Sequence, residues 1–478
     1  MIYAKQEQGV DKLTLDRISM TKFDLVVIGG GPGGYVAAIR ASQLGLSTAL
    51  VEKEHLGGVC LNWGCIPTKA LLRTAEIKTL ISHAADYGLT VGPVTVDLKA
   101  VVDRSRKISS QLAGGIKHLL KKNKVKVFEG HALLKGAGKI AVESTTAPQE
   151  ISASHIILAT GASARSLPGI EADGKLIWTA RHAMTPEALP KSLLIIGSGA
   201  IGIEFASFYR TLGSDVTVVE LQNRILPQED EEISAAAQKA FEKQGIKFLL
   251  GTSVEKVTKG KDTVTVTLQG KEQTFDRVIL AVGIVGNTAN LGLEKTKVKI
   301  DRGQIMVNEW SETDEPGVYA IGDVTGAPWL AHKASHEGII CVEKIAGLPN
   351  LHPLNIRNIP GCTYSLPQVA SIGLTEAQAK AAGHDLKVGR FPYKANGKAL
   401  ALGETEGLVK TIFDAKTGAL LGAHMIGAEV TELIQGFGIA KTLETTEAEL
   451  MHSIFPHPTL SEMMHESVLD AYGRAIHF

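Results

Sequence analysis

The chain has 478 residues, and its 50 lysine and arginine residues balance 50 aspartate and glutamate residues, so the formal net charge is zero. This balance gives no general attraction for nucleic acids or anionic membranes, and the length suggests about three domains. Four cysteines are too few for a secreted disulfide framework, and no apolar stretch reaches the roughly 18 residues of a membrane span. We therefore expect a cytoplasmic protein that binds neither nucleic acid nor membrane.

The first predicted element is the strand FDLVVIG, residues 23–29, which is followed by a glycine-rich loop and a helix-like segment. Gly29, Gly31 and Gly34 fit the pattern G-x-G-x-x-G. The first glycine allows a tight turn, the second lets backbone N–H groups approach a pyrophosphate, and the third lets helix and strand pack closely. The next predicted strand ends at Glu52, whose carboxylate can accept hydrogen bonds from ribose hydroxyls. The pattern predicts a dinucleotide-binding unit, with an ordinary glycine-rich turn as the alternative.

Cys60 and Cys65 lie in the segment GGVCLNWGCIPTKALL, residues 57–72. The four residues between them can form a turn that brings the two Cα atoms within disulfide range. The segment after Cys65 is helix-like, and a helix N-terminus lowers the pKa of a thiol. We predict a reactive pair rather than two inert buried cysteines, and no metal site, because no second cysteine pair completes a zinc site. Cys341 and Cys362 are isolated and are predicted to be small apolar core residues.

The strand–loop–helix–strand pattern returns further along the chain, with Gly197, Gly199 and Gly202 in the loop and Glu220 at the end of the second strand. The first glycine and the glutamate are 23 residues apart in both copies, from 29 to 52 and from 197 to 220. We therefore predict an internal duplication with two dinucleotide sites, one for a bound flavin and one for an exchangeable nicotinamide. A carboxylate at the strand end favours NAD over NADP, because it repels a 2′-phosphate.

The pattern changes after about residue 290. Residues 317–324 predict a short strand that ends in Gly-Asp and is followed by a helix-like segment. Alternating strand patterns come next, with a hairpin turn at residues 415–418. Two helical stretches, residues 431–444 and 459–474, complete a predicted α+β domain.

His457 and Glu462 lie near the end of the chain, in the segment FPHPTLSEMMHE. From the spacing alone, Thr459 and Glu462 are a capping box that opens a helix. The spacing likewise makes Lys69 an exposed helix lysine. An acid–base role for His457 is chemically suitable, since imidazole exchanges protons near neutral pH and a carboxylate can orient it.

The cysteine segment and the two glycine loops resemble those of the flavoprotein disulfide reductases that have two dinucleotide-binding domains. The similarity extends over about residues 22 to 474, and it is closest to the members that oxidise dihydrolipoamide. It implies an α/β fold with two duplicated Rossmann-like dinucleotide-binding domains and a C-terminal α+β dimerisation domain. The implied segments are an N-terminal arm or leader (1–21), an FAD-binding domain (22–164), an NAD-binding domain (165–287), a central domain that completes the FAD site (288–354) and an interface domain (355–478).

The resemblance also implies which residues bind the cofactors FAD and NAD. The FAD residues it implies are Gly29, Gly31, Gly34, Glu52, Lys53, Gly58, Val59, Cys60, Lys69, Ala132, Thr160, Gly161, Asp323, Leu330, Ala331 and His332. The NAD residues it implies are Gly197, Gly199, Gly202, Glu204, Glu220, Val254 and Gly283.

The catalytic roles implied by the resemblance complete the hypothesis. Cys60 exchanges with the substrate and Cys65 faces the flavin, beside Lys69, which pairs with Glu204. His457, oriented by Glu462, acts as acid–base catalyst on the disulfide of the other subunit, so a homodimer is expected. The activity implied is oxidation of dihydrolipoamide to lipoamide with reduction of NAD+, on the lipoyl domains and E2 core of a 2-oxoacid dehydrogenase complex.

Two positions depart from the common pattern of the family, and two alternatives stay open. Ile284 stands in GIVGN, where many relatives have Arg and Pro nearby, and Gln368 stands where Glu is frequent. The first alternative is a glutathione reductase-like enzyme, which Glu220 opposes because such enzymes usually prefer NADP. The second is a non-catalytic module that binds FAD and NADH.

Overall fold

The computed structural model describes residues 21–144 and 148–478. The predicted arm, residues 1–21, lies outside the described residues apart from Thr21. Among the described residues, no helix combines the length and the apolar composition needed to cross a bilayer.

The first part of the chain forms a sheet whose central strands are parallel. Its elements are β1 (Thr21–Ile28), α1 (Pro32–Gln43), β2 (Thr48–Glu52), α2 (Gly58–Trp63), α3 (Cys65–Ser82), α4 (Leu98–Lys122), β3 (Lys126–Glu129), β4 (His131–Gly136), β5 (Lys139–Glu143) and β6 (Gln149–Leu158). The strand order is β3-β2-β1-β6-β5-β4. β1 is parallel to both neighbours, with Leu25 opposite Thr48 and His155. Because both faces of β1 are covered, Leu25, Val26 and Val27 are all buried and the strand is continuously apolar.

A second parallel sheet follows. Its region contains β7 (Ala162–Ala164), β8 (Ile177–Trp178), α5 (Ala180–Ala183), β9 (Ser192–Ile196), α6 (Ala200–Leu212), β10 (Asp215–Val219), α7 (Glu231–Lys243), β11 (Lys247–Leu249), β12 (Val254–Lys259), β13 (Val264–Leu268), β14 (Lys271–Phe275), β15 (Arg277–Leu280) and β16 (Ile284–Gly286). The parallel order is β11-β10-β9-β15-β8, and β12-β13-β14 form an antiparallel sheet. β9 lies between β10 and β15 as β1 lies between β2 and β6, so the central topology is repeated.

The chain then returns to the first sheet. The elements of this segment are β17 (Ile300–Asp301), β18 (Gln304–Ile305), β19 (Val318–Ala320) and α8 (Ala331–Ile345). β19 pairs with β6 in parallel. Helix α8 crosses α1 closely, because a Cβ at Gly338 would lie 2.8 Å from the carbonyl oxygen of Gly33. The segment therefore adds a strand and a helix to the first sheet.

The last part of the chain forms an antiparallel sheet with helices on it. Its elements are β20 (Gly361–Thr363), β21 (Gln368–Gly373), α9 (Glu376–Ala381), β22 (Leu386–Pro392), α10 (Gly397–Leu402), β23 (Leu408–Asp414), β24 (Leu420–Gly427), α11 (Val430–Thr442), α12 (Glu447–His452) and α13 (Glu462–Ala471). The order is β20-β21-β24-β23-β22. Phe413, Phe437 and Val468 join the sheet, α11 and α13 in one buried core.

A buried ion-pair cluster joins this carboxy-terminal sheet to the second sheet's helix α7. Lys410 of β23 is 2% exposed, and its Nζ lies 2.8 Å from Asp230 Oδ1, 2.8 Å from Glu376 Oε2 and 3.1 Å from Glu232 Oε2. Arg390 of β22 adds a contact of 2.8 Å with Glu232. A buried charge is stable only when oppositely charged groups pair with it, and here two of the paired carboxylates belong to the α7 region. The cluster therefore holds α7 against the carboxy-terminal sheet.

The α/β fold class predicted from the sequence is confirmed, and so is the hairpin turn between β23 and β24. Three local expectations are wrong. The strand predicted over 317–324 ends at Ala320, and Gly322–Thr325 form a 3₁₀ turn. The last helix begins at Glu462 rather than at 459. Helix α12 was not predicted, although its capping box of Thr446 and Glu449 is present in the sequence. The segment boundaries stay predictions.

Strand β22 and helix α13 approach each other so closely at Gly389 that a larger residue there should destabilise the fold. A Cβ at Gly389 would meet the carbonyl oxygen of Ser467 and would lie 2.7 Å from the backbone nitrogen of Ala471. We expect Gly389→Ala to lower the free energy of unfolding by about 1–3 kcal/mol, because neither backbone can move away freely. Thermal unfolding measures the effect, with Gly397→Ala as control, since nothing lies within 4 Å of a Cβ there. Equal midpoints for the two variants would contradict the prediction.

Candidate active site

The two glycine loops have the same backbone geometry. Gly29 and Gly197 follow β1 and β9 with φ of 109° and 102°, which favour glycine. Their N–H groups donate to the carbonyl oxygens of Val51 and Val219, both at 2.8 Å. A Cβ at either glycine would meet a carbonyl oxygen of the neighbouring strand end. The similarity therefore extends from the sequence spacing to individual hydrogen bonds.

The second and third glycines of each loop lie at the start of the helix that follows, where no side chain caps the backbone N–H groups. A Cβ at Gly34 or Gly202 would meet the carbonyl oxygen of the first glycine of the same loop, so only glycine lets the helix begin there. Gly31 and Gly199 precede α1 and α6 in extended conformation, and neither helix has a side-chain cap. The first N–H groups of both helices thus stay available to an anion, which fits the pyrophosphate of a dinucleotide.

The two strand-end glutamates anchor these loops. Glu52 Oε2 accepts the Gly30 N–H at 2.6 Å, and Glu220 Oε2 accepts the Ser198 N–H at 2.9 Å and the Ser198 hydroxyl at 2.7 Å. The other oxygen of each accepts the N–H two residues later. A carboxylate has about four acceptor positions, so each can still accept a ribose hydroxyl. Sequence reasoning missed the anchoring role, which only the backbone geometry shows.

Cys60 and Cys65 lie on two helices that meet at a sharp break. Cys60 is in α2, Cys65 is the first residue of α3, and Gly64 between the helices has φ −150° and ψ −114°. Both thiols are half-buried and unbonded, and they share a hydrogen bond. That hydrogen bond and burial raise the pKa of Cys60. The same hydrogen bond lowers the pKa of Cys65 against the effect of burial, and the charge of Lys69 acts in the same direction, which favours ionisation of Cys65 over Cys60.

Lys69 contacts Glu204 as the resemblance implies. Lys69 Nζ lies 2.9 Å from Oε1 and 3.0 Å from Oε2 of Glu204, and the glutamate side chain is only 8% exposed. Tyr364, which sequence reasoning missed, donates its backbone N–H to Glu204 Oε1 at 3.0 Å. The Lys69 ammonium lies 4.2 Å from the centre of the Tyr364 ring. Three distant segments therefore converge on one ammonium group.

A second feature that sequence reasoning missed is a pair of cation–π contacts to Trp63, which lies between the two cysteines in the sequence. The Trp63 ring lies between two guanidinium groups, that of Arg106 at 4.1 Å and that of Arg181 at 4.3 Å. Arg106 also donates to the carbonyl oxygen of Asn62 at 2.6 Å. These cation–π contacts hold α2 between α4 and α5. No sequence signal could have shown them, because the three residues lie far apart in the chain.

Asp323 lies in the 3₁₀ turn at the end of β19. Burial raises the pKa of its carboxyl group, and the nearby Lys333 charge opposes this. Lys333 is 4% exposed, and its Nζ lies 3.0 Å from Glu337 and 3.2 Å from the Gly326 carbonyl oxygen. Glu337 Oε2 accepts the Gly322 N–H at 2.7 Å. Helix α8 thus holds the Asp323 turn in place through two residues that sequence reasoning missed.

Other residues implied for the first site surround the loop. Leu330 precedes α8, whose first turn begins with Ala331 and His332 and has no side-chain cap. His332 Nε2 lies 2.9 Å from the Pro360 carbonyl oxygen, and burial lowers its pKa. Thr160 exchanges two hydrogen bonds with Asn287, and the next residue, Gly161, has φ 69°. Ala132 is buried in β4, and Gly58 and Val59 are the first two residues of α2. The Lys53 side chain is exposed.

Residues implied for the second site lie at its strand ends. Gly283 has φ 100° with nothing within 4 Å of a Cβ, and Val254 begins β12. Ile284 is paired with Ala164 across β16 and β7. Gln368, the other departure, accepts the Thr431 hydroxyl at 2.7 Å and so holds α11 on β21.

Cys341 and Cys362 lie in different surroundings. Cys341 is fully buried in α8, as predicted. Cys362 is half-buried on edge strand β20, where it packs against the core of the carboxy-terminal sheet rather than inside it. Burial raises the pKa of Cys362 to about 11.

His457 is oriented by Glu462 but stands apart from the cysteines. His457 Nδ1 lies 2.9 Å from Glu462 Oε1, and the histidine side chain is 80% exposed. Glu462 Oε2 accepts the Thr459 N–H at 2.8 Å. The capping box is incomplete, because the Thr459 hydroxyl bonds to Pro456 and Ser461 and the helix begins only at Glu462. Within the described residues, no hydrogen bond or ion pair joins His457 to Cys60 or Cys65.

Comparisons with known proteins agree over nearly the whole chain. Residues 23–338 match the family described as pyridine nucleotide-disulphide oxidoreductase, and residues 359–468 match the dimerisation domain of that family. The dihydrolipoyl dehydrogenases of Rhizobium etli and Zymomonas mobilis are 59% and 57% identical to this chain, and each alignment covers 95% of this chain and 99% of the relative. The crystal structure of LpdA from Mycobacterium tuberculosis has a TM-score of 0.88 at 27% identity, covering 94% of this chain and 99% of that one.

The duplicated loops predict that the two nucleotide sites can be disabled separately. A methyl group at Gly34 or Gly202 would collide with its own loop, which costs about 1–3 kcal/mol, equivalent to about fivefold to 140-fold in affinity. We expect Gly34→Ala to lose bound flavin, measured by absorbance per chain. Gly202→Ala should keep flavin but bind NADH more weakly, measured by fluorescence titration. Gly114→Ala, with nothing within 4 Å of the added Cβ, is the control. Loss of flavin in Gly202→Ala alone would reverse the assignment.

Proposed function

The chain belongs to the family of pyridine nucleotide-disulphide oxidoreductases, and from that premise we propose that it oxidises dihydrolipoyl groups with NAD+ as acceptor. The relatives named dihydrolipoyl dehydrogenase support this substrate over nearly their full length. The observation that carries the proposal is the pair of Cys60 and Cys65, which lie half-buried at the break between α2 and α3 in a chain with a duplicated dinucleotide fold. The protein is an enzyme that acts on sulfur groups.

The cofactors are FAD and NAD. The first glycine loop, Glu52 and Asp323 would hold FAD, which when bound accepts two electrons from the cysteine pair and yields them to NAD+. The second loop and Glu220 would hold NAD. Because Glu220 is 9% exposed and already anchors its loop, a 2′-phosphate would meet a fixed negative charge. This favours NAD and disfavours a glutathione reductase-like enzyme that uses NADP.

The chemistry begins with thiol–disulfide exchange on the oxidised pair. One substrate sulfur attacks Cys60 Sγ, the Cys60–Cys65 bond breaks, and the electron pair of that bond leaves on Cys65 as thiolate. The charge of Lys69 and the neighbouring thiol stabilise this thiolate, since both lower the pKa of Cys65. The substrate is then held to Cys60 as a mixed disulfide.

The second substrate sulfur completes the exchange. It attacks the first substrate sulfur, the bond to Cys60 breaks, and lipoamide closes as a ring. One substrate proton ends on Cys60, whose pKa is raised, and the other on His457 acting as base. Two electrons and two protons have then left the dithiol.

The base comes from a second subunit in this proposal. His457 is exposed and bonds to Glu462, and among the described residues no hydrogen bond or ion pair links it to the cysteines of its own chain. The dimerisation domain at residues 359–468 supports a homodimer, in which His457 of the partner subunit serves the cysteine pair. The reaction partners are the lipoyl domains and E2 core of a 2-oxoacid dehydrogenase complex, in the cytoplasm.

The substrate assignment is tested with the holoenzyme on a panel of NAD+ or NADP+ with dihydrolipoamide, and NADH or NADPH with glutathione disulfide. We expect activity with dihydrolipoamide and NAD+. Cys60→Ser and Cys65→Ser should each lower kcat about a thousandfold or more, because the exchange loses a sulfur. Cys341→Ala, away from the pair, should keep activity. Unchanged NADH production by the two serine variants would indicate a non-catalytic binding module, and activity only with NADPH and glutathione disulfide would indicate the reductase alternative.

The role of His457 makes a separate prediction. His457→Gln should lower kcat about a hundredfold to ten-thousandfold, since it removes the base that takes the thiol proton. Glu462→Gln should cause a smaller loss by releasing the ring orientation. His452→Gln is the matched control, because His452 bonds only to its own helix at the Ala448 carbonyl oxygen. A His457→Gln enzyme with normal turnover would exclude the role.

A further inference from the structure

Tyr364 connects the carboxy-terminal sheet to the ion pair beside the reactive cysteines. It follows β20, and its backbone N–H and the Lys69 ammonium bond to the same oxygen of Glu204, at 3.0 and 2.9 Å. Its ring lies against the ammonium at 4.2 Å. The next contact along this segment, from the Leu366 N–H to the Ser207 hydroxyl at 3.1 Å, keeps the segment on α6. The position of Tyr364 is therefore fixed by its backbone, whatever its side chain does.

The ammonium that Tyr364 faces belongs to the same helix face as the reactive thiol. Cys65 and Lys69 are four residues apart in α3, and residues at that spacing are neighbours on the helix surface. The Lys69 side chain is 31% exposed, so solvent is available to it if a contact is lost. The electron-rich face of an aromatic ring attracts a cation. Tyr364 thus restrains a cation that could otherwise move towards water.

We propose that Tyr364 is a positioning residue: its ring holds the Lys69 ammonium beside Cys65 and thereby maintains the Cys65 thiolate. The inference rests on the proposed function, in which the Cys65 thiolate receives the electrons of the substrate. The aromatic ring of Tyr364, rather than its hydroxyl group, holds the ammonium in this proposal. The hydroxyl faces away, towards Cys362, with which it shares a hydrogen bond.

Other ionisable groups surround this site and must be held constant in a test. Cys60 of α2, Lys69 and Glu204 act directly on Cys65, while Tyr35 of α1 faces Cys60. Cys362 and Glu432 act on Tyr364. Burial raises the pKa of Tyr364 to about 12, so the phenol stays neutral wherever the thiol titrates. The ring therefore acts on the ammonium through its electron-rich face and not by proton transfer.

The experiment titrates Cys65 in the flavin-loaded protein without substrate or nicotinamide. A Cys60→Ser background leaves one thiol of the pair, and thiolate absorbance is read as a difference from the Cys60→Ser/Cys65→Ser protein. Alkylation of Cys65 by iodoacetamide, followed by peptide mass analysis, gives the same pH profile independently. We expect Tyr364→Leu to raise the pKa of Cys65, so that the thiolate fraction near neutral pH falls about threefold to tenfold. Tyr364→Phe keeps the ring and should match the unsubstituted background.

A double-substitution test separates this role from general loosening of the site. Lys69→Met should lower the thiolate fraction by itself, and Tyr364→Leu should then add nothing. An equal further loss in the Lys69→Met background would overturn the proposal, as would a Tyr364→Phe profile like that of Tyr364→Leu. If Tyr364→Leu fails to retain flavin, Tyr364→Met takes its place under the same criteria. Because no substrate enters the titration, its failure is distinguishable from failure of the proposed function, which the substrate panel tests.

Discussion

The ion pair between Lys69 and Glu204 is the contact on which the arrangement of the site depends. Lys69 is the fifth residue of α3, which begins at Cys65, and Glu204 is the fifth residue of α6, which begins after the second glycine loop. The pair therefore fixes the reactive thiol relative to the helix end at the second glycine loop. Glu204 is 8% exposed, and a buried carboxylate without a partner costs several kcal/mol, so the two helices are held together at this point.

The two glycine loops have the same backbone conformation although two different cofactors are expected. Gly29 and Gly197 make equivalent hydrogen bonds, and Glu52 and Glu220 hold the residue after each of them. The binding surface is made of backbone N–H groups, so it recognises a phosphate without regard to the base or the ring that the nucleotide carries. Discrimination between the cofactors must then come from the surroundings. The first loop is flanked by α2 and by the Asp323 turn, and the second by strand ends that contain Gly283 and Val254.

The sequence allowed the local features of the fold and site to be predicted, but not the contacts between distant segments. The glycine loops and strand ends are short-range patterns, and the spacing of Cys60 and Cys65 lies within one segment. The contact between Lys69 and Glu204 was predicted from the family resemblance, because residue spacing alone cannot indicate a contact between residues so far apart in the chain. Tyr364, Lys333 and the Trp63 stack depend on residues brought together only by the tertiary fold, so no pattern indicated them. Helix α12 is different, since its Thr446 capping box was in the sequence and was overlooked.

The Lys410 cluster has a consequence for how the second sheet can move against the carboxy-terminal sheet. Lys410 is 2% exposed and is shared by Asp230, Glu232 and Glu376, so movement of α7 away from β23 would remove Asp230 and Glu232 from the buried ammonium and leave it Glu376 alone. Such a separation costs roughly 3–5 kcal/mol, which makes an opened form rare. The second sheet is therefore clamped to the carboxy-terminal sheet as a rigid joint. Any opening of the second sheet's region must then occur elsewhere than at the contact between α7 and β23.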